Sequence, residues 1–161
     1  MSNTDYEKEL RQAIAILYET FAYYPLNPQI KGCPCCVTEN DNLLILSKPL
    51  NKLTASDLNH YAFNAVLTWG TIKDLKHFLP RLLELFVFDT DLFYGCFVIS
   101  RLSSLNLDDW QQKEQEAIYQ YLIASWKYIL SLNPSPTVEL GNFLDCISDV
   151  INNFESLLSI W

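Results

Sequence analysis

Apolar residues recur every three or four positions along most of the chain, the spacing that places them on one face of an α-helix. This spacing predicts helices over about 4–23, 40–46, 54–69, 71–88, 92–102, 108–130 and 136–161. Between the first two lies 23–36, where Pro25, Pro28 and Pro34 predict an irregular connector. We therefore expect an all-α fold in a single domain over 1–161, either a compact multi-helix bundle or a short right-handed α-α stack of six to seven helices.

The predicted helix pair 54–88 has clear start signals. Thr54 with Asp57, and Thr71 with Asp74, resemble capping boxes in which Asp replaces the usual Glu. Gly70 is expected to end the first helix in a left-handed conformation. The pair is therefore predicted to be a helical hairpin, and the rest of the chain is expected to pack around it.

The distribution of apolar residues predicts how deeply each helix is buried. Segment 54–69 carries Phe63 and Leu67 opposite its main apolar face, so we expect burial on two sides. Segment 92–102 is apolar nearly all round, so it is expected at the centre of the domain with Phe97 buried. Segment 71–88 is expected at the surface, with a kink at Pro80, because it has one broad polar face: Lys73, Lys76, His77, Arg81 and Glu84.

Composition and charge narrow the classes of partner. Half of the residues are hydrophobic, 14% are aromatic and only four of 161 are glycine, which favours a folded helical protein. The formal net charge of −8 argues against binding to nucleic acid and to anionic membranes. The most apolar region, 82–100, is interrupted by acidic residues, so no membrane span is expected. The polar N-terminal segment is unlike a signal peptide, and a cytoplasmic location is expected.

The most unusual segment is Cys33-Pro34-Cys35-Cys36. Cys33 and Cys36 have the C-x-x-C spacing that can hold a metal ion or close a disulfide. A zinc site takes four thiolate or imidazole ligands, and His60 or His77 would complete it if the connector folds over the hairpin. A thiol-redox pair is the alternative, and packing of small apolar side chains onto the core is the third.

A second candidate site is a polar strip on segment 54–69, formed by Asp57, His60, Asn64 and Thr68. Beside His77 and Arg81, this strip would line a pocket for an anionic small molecule, with the His–Asp pair orienting a general base. The alternative is a set of buried hydrogen bonds that tie the hairpin to its neighbours.

Three segments together carry a family resemblance. GCPCC at 32–36, YAFNAVLTWG at 61–70 and HFLPRLLEL at 77–85 resemble a family of small bacterial all-helical proteins with no assigned activity. The resemblance covers roughly residues 10–90. It implies a bacterial origin and a helical fold, and it implies no catalytic residue or cofactor.

The sequence favours a non-catalytic function. It contains no glycine-rich phosphate loop, no serine in a nucleophile context and no H-E-x-x-H motif. The first hypothesis is a protein-interaction or scaffold module whose partner is another protein and which needs no cofactor. The alternative is a small zinc-binding or thiol-redox protein that works through Cys33, Cys35 and Cys36.

Overall fold

The computed structural model describes residues 1–89, 95–132, 139–152 and 154–160. Within these ranges the chain forms eight α-helices, two short 3-10 turns (Leu50–Lys52 and Leu107–Asp109) and no strands, so the predicted all-α fold is confirmed. The helices are α1 (Asn3–Phe21), α2 (Glu39–Leu46), α3 (Ala55–Asn64), α4 (Ile72–Phe88), α5 (Gly95–Ser104), α6 (Gln112–Ser131), α7 (Leu140–Ser148) and α8 (Phe154–Leu158). Of these described helices, none is both long and apolar enough to cross a membrane.

The chain divides into two compact units, one of residues 1–20 with 99–161 and the other of residues 21–98. The single domain over 1–161 stays a prediction. In the first unit the apolar faces of α1, α6 and α7 are buried. Trp126 stacks on Phe143 at 6.3 Å between ring centroids, and its indole N–H donates to the Leu157 carbonyl. The predicted helix over 136–161 is observed as α7 and α8, so its continuity was wrong.

In the unit of residues 21–98, α4 is largely buried, so its predicted surface position was wrong. Lys73 on its polar face is exposed, but Lys76 is buried and the other members of that face are half-buried. Lys76 is only 8% exposed, its Nζ donates to the Tyr24 hydroxyl at 3.1 Å, and it lies 5.0 Å from the centre of the same ring. Tyr24 of the connector thus covers Lys76, a contact that the helical pattern of α4 alone does not reveal. The helix continues through Pro80.

Both predicted capping boxes are present, but α3 is shorter than predicted. It ends at Asn64, whose carbonyl accepts the N–H groups of Leu67, Thr68 and Trp69 while its side-chain N–H donates to the His60 carbonyl. Asparagine often ends a helix in this way, because its side chain can bond to nearby backbone groups and compete with the helical hydrogen bonds. Gly70 has the predicted left-handed φ of 76°, but it follows an irregular turn rather than the end of the helix.

Two burial predictions were wrong. Phe63 and Leu67 are 43% and 70% exposed, so α3 is buried on one side rather than two. Phe97 is 48% exposed and lies edge-on to Phe63, although Val98 and Ile99 beside it are buried. The predicted central helix 92–102 is observed as α5, and residues 92–94 lie outside the described part of the chain.

Candidate metal centre

The connector is hydrogen-bonded to the turn between α3 and α4. The Cys33 N–H donates to the Thr68 carbonyl and the Gly70 N–H donates to the Lys31 carbonyl, both at 2.7 Å. Between these bonds, Gly32 pairs antiparallel with Trp69. The connector therefore does fold onto the helix pair 54–88, the condition on which the predicted zinc site depended.

Side-chain packing fixes the connector in this position. Ile30 and Val37 are buried at 3% and 8% exposure. A Cβ on Gly32 would lie 2.6 Å from the Cβ of Val37, so only glycine allows this close approach. Trp69 is buried and donates its indole N–H to Asn42 of α2. The cysteine segment is thus held between α2 and the α3–α4 turn.

A tight turn gathers the three thiols. The N–H groups of Cys36 and Val37 both donate to the Cys33 carbonyl at 2.9 Å. The Sγ atoms of Cys33 and Cys35 are 2.9 Å apart, those of Cys35 and Cys36 are 3.5 Å apart, and all three lie within 4.8 Å of one another. All three cysteines are free, and Cys35 is exposed. The sequence singled out these residues, but it did not predict that Cys35 would lie between the other two.

Hydrogen bonding within the cluster changes the pKa values of Cys33 and Cys35 in opposite directions. A hydrogen bond from the Cys35 thiol, followed by one from the Cys35 backbone, lowers the pKa of Cys33. Side-chain hydrogen bonding with Cys33 and Cys36, and the negative charge of those neighbours, raises the pKa of Cys35 to about 11. Cys33 therefore ionises before Cys35, which is the proton donor beside it.

Neither histidine joins this cluster within the described residues, so the expected imidazole ligand is not found there. His60 Nδ1 lies 3.3 Å from a carboxylate oxygen of Asp41, and its ring meets Trp69 edge-on. His77 Nδ1 lies 2.8 Å from the Tyr24 carbonyl oxygen. His60 therefore links α3 to α2, and His77 links α4 to the connector.

The polar strip on α3 makes structural contacts. Asp57 is buried, accepts a hydrogen bond from the Thr54 N–H at 2.8 Å and pairs with Lys48 at 2.6 Å. Asn64 accepts a hydrogen bond from the Thr68 hydroxyl at 2.8 Å. These contacts favour the structural alternative, and a pocket for an anion stays a prediction.

Arg81 also has a structural role. Its guanidinium donates to the Leu53 carbonyl and pairs with Glu84, each at 2.8 Å. The sequence analysis missed Lys48, the partner of Asp57, because a lone lysine in a loop gives no signal of a contact nine residues away.

A cleft of about 560 Å³ lies beside the connector and was not predicted. Tyr23, Tyr24 and Leu26 of the connector line it together with Lys73 and Asp74 of α4. The Asn27 amide closes one side by donating to Asp74 at 3.1 Å. No sequence motif marks this cleft, because it forms only when the connector folds back on α4.

Comparisons with protein-family models, curated proteins and solved structures found no match to this chain.

Proposed function

We propose that the protein binds one thiophilic metal ion through the thiolates of Cys33, Cys35 and Cys36. The observation that carries this proposal is the mutual approach of the three Sγ atoms within 4.8 Å. Thiolates bound to one ion lie about 3.8–4.0 Å apart, because each is about 2.3 Å from the metal. Small rotations of these side chains would bring the sulfurs to that spacing.

Ion binding at this site would proceed with loss of protons. Metals bind the thiolate rather than the thiol, so affinity rises with pH until all three cysteines are ionised. Because its pKa is lowered by Cys35, Cys33 would provide the first bond. An ion attached there stabilises negative charge on Cys35 and Cys36 and favours loss of their protons.

Reconstitution followed by elemental analysis tests the proposal. The reduced full-length protein would be incubated with Zn²⁺ or with Cu⁺, separated from free ion and analysed by native mass spectrometry. We expect about one bound ion per chain for at least one of these metals, and none in the variant with Cys33, Cys35 and Cys36 all changed to Ser. Lys31→Gln, in the same connector, is the matched control and should bind normally. Equal loading of the triple variant would contradict the proposal.

Thiol-redox activity is a second candidate function of the same residues. It is supported by the 2.9 Å separation of the Cys33 and Cys35 sulfurs and by the lowered pKa of Cys33, which favours its thiolate as the nucleophile. Attack on a disulfide substrate would form a mixed disulfide at Cys33, and a neighbouring thiolate would then displace the substrate's second thiol. Incubation with oxidised glutathione followed by mass spectrometry should trap the mixed disulfide in a Cys35→Ser, Cys36→Ser variant.

A protein-interaction role is a third candidate, supported by exposed apolar side chains on the unit of residues 21–98. Leu43 and Leu44 of α2 are 58% and 43% exposed, and Leu67 is 70% exposed. The partner in this proposal is another protein that covers these leucines. Changing all three to Gln should abolish co-purification of such a partner without changing metal loading.

We further propose a cytoplasmic location, where exposed thiols such as Cys35 stay reduced.

A further inference from the structure

The number of protein ligands at the cysteine cluster restricts which ion it suits. Within the described residues, the group of candidate ligands contains three sulfurs and no imidazole or carboxylate. His60 and His77 are hydrogen-bonded to Asp41 and to the Tyr24 carbonyl. Recruiting either ring would cost the hydrogen bond that it makes.

Zn²⁺ suits this ligand set poorly. Structural zinc sites are almost always four-coordinate, with all four ligands from the protein. With three thiolates, zinc would need water or an added ligand in the fourth position. Cu⁺ is also bound well by thiolates, and as a soft monovalent ion it needs no fourth ligand.

We propose that the cluster is a three-coordinate, all-sulfur site for monovalent copper. This inference rests on the proposed metal-binding function and specifies its ion. Binding forms three Cu–S bonds and releases one proton from each cysteine that was a thiol. Copper enters and leaves as Cu⁺, so no electron donor or acceptor is required.

The exposure of the site suits exchange of the ion with another thiol compound. Cys35 is exposed, whereas Cys33 and Cys36 are partly covered. Cys33 is also held by its backbone hydrogen bond to Thr68. An incoming thiolate can therefore form a bond to copper as the Cys35 sulfur leaves and takes up a proton. Cys33 and Cys36 would hold the ion during this exchange.

Competition and X-ray absorption on the full-length protein test this inference. Cu⁺ would be supplied under anaerobic conditions with bathocuproine disulfonate as competitor, and Zn²⁺ with a chromogenic chelator. We expect one Cu⁺ per chain with three sulfur neighbours and no nitrogen neighbour, bound at least about 1,000-fold more tightly than Zn²⁺. Cys35→Ser should leave two sulfur neighbours and weaken Cu⁺ binding by about tenfold or more.

The histidine variants His60→Gln and His77→Gln are matched controls and should leave copper affinity and the spectrum unchanged. Preferential binding of Zn²⁺, or a nitrogen neighbour lost in either histidine variant, would overturn the copper assignment while the metal-binding function stands. Failure of the wild-type protein to bind either ion would overturn both. The spectrum of the wild-type protein decides the coordination number without relying on any variant.

Discussion

At the scale of the residue, the important feature is that two chemically identical side chains, Cys33 and Cys35, acquire different acidities. Cys35 lies between Cys33 and Cys36 and is within hydrogen-bond distance of both, which lowers the pKa of Cys33 and raises its own. The sequence identified the three cysteines, because C-x-x-C spacing is a recognisable pattern. It could not assign their order of ionisation, since that depends on sulfur–sulfur distances set by the turn.

Removing the Cys35 thiol should raise the pKa of Cys33 towards its ordinary value. The rate of alkylation of Cys33 by iodoacetamide follows its thiolate fraction, so in Cys35→Ala the pH–rate profile should move to higher pH. Tandem mass spectrometry of the peptide that carries the cysteine segment distinguishes labelling of Cys33 from labelling of Cys36. Cys36→Ala is the control and should move the profile less, because Cys36 contributes less to lowering the pKa. Identical profiles in wild type and Cys35→Ala would show that the hydrogen bond does not set the acidity.

At the scale of the element, the starts of α3 and α4 were more predictable than the end of α3 or the burial of α4. The Thr54–Asp57 and Thr71–Asp74 boxes are local, so four residues contain the whole signal. The end of α3 depends on the three N–H groups that converge on Asn64, which helical periodicity does not show. The burial of Lys76 on α4 depends on Tyr24 of the connector, 52 residues away in sequence, so helical periodicity alone wrongly predicted that the polar face would be solvated.

Asp57 should stabilise the protein through charged hydrogen bonds at the start of α3. Burial raises its pKa, but Lys48 and Thr54 outweigh burial, so the net pKa is lowered. Asp57→Ala should cost about 1.5–3 kcal/mol in free energy of unfolding at pH 7, the range for hydrogen bonds to a charged group. Lys48→Ala should cost less, about 0–1 kcal/mol, because that lysine is partly exposed.

The contribution of Asp57 to the free energy of unfolding should decrease as the pH falls. Because the folded-state pKa of Asp57 lies below the unfolded value, its contribution is present above the unfolded pKa of about 3.9 and is lost as pH falls through the folded pKa. Urea unfolding at pH 7 and near pH 3 should therefore show a smaller difference between wild type and Asp57→Ala at the lower pH. A difference that grows on acidification would contradict the proposed role of the ionised carboxylate.

Two phenylalanines in the same unit provide a test of the observed burial. Phe78 on α4 is fully buried against Tyr61, whereas Phe97 on α5 is 48% exposed. Phe78→Ala should cost about 3–5 kcal/mol in free energy of unfolding, as for other core phenylalanines. Phe97→Ala should cost about 1 kcal/mol, because much of its surface already meets solvent. Thermal or urea unfolding measures both, and a reversed order would contradict the placement of α4 in the core.

At the scale of the whole molecule, the net negative charge and the location of the cysteine cluster within one unit both bear on the proposed metal binding. The net charge of −8 disfavours phosphate-bearing partners and attracts cations. Cys33, Cys35 and Cys36, with Thr68 and Gly70 that hold their segment, all belong to the unit of residues 21–98. The proposed centre is therefore complete within one unit and does not depend on the arrangement of the other.

The most direct test of the central claim, that three thiolates bind one ion, is protection of individual cysteines from alkylation. The reduced protein would receive one equivalent of Cu⁺ or Zn²⁺, then a brief pulse of iodoacetamide, with digestion and mass spectrometry to score each cysteine. The account predicts that at least one of these ions protects Cys33, Cys35 and Cys36 together and in the same molecules. Protection of a single cysteine, or equal labelling with and without either ion, would contradict it.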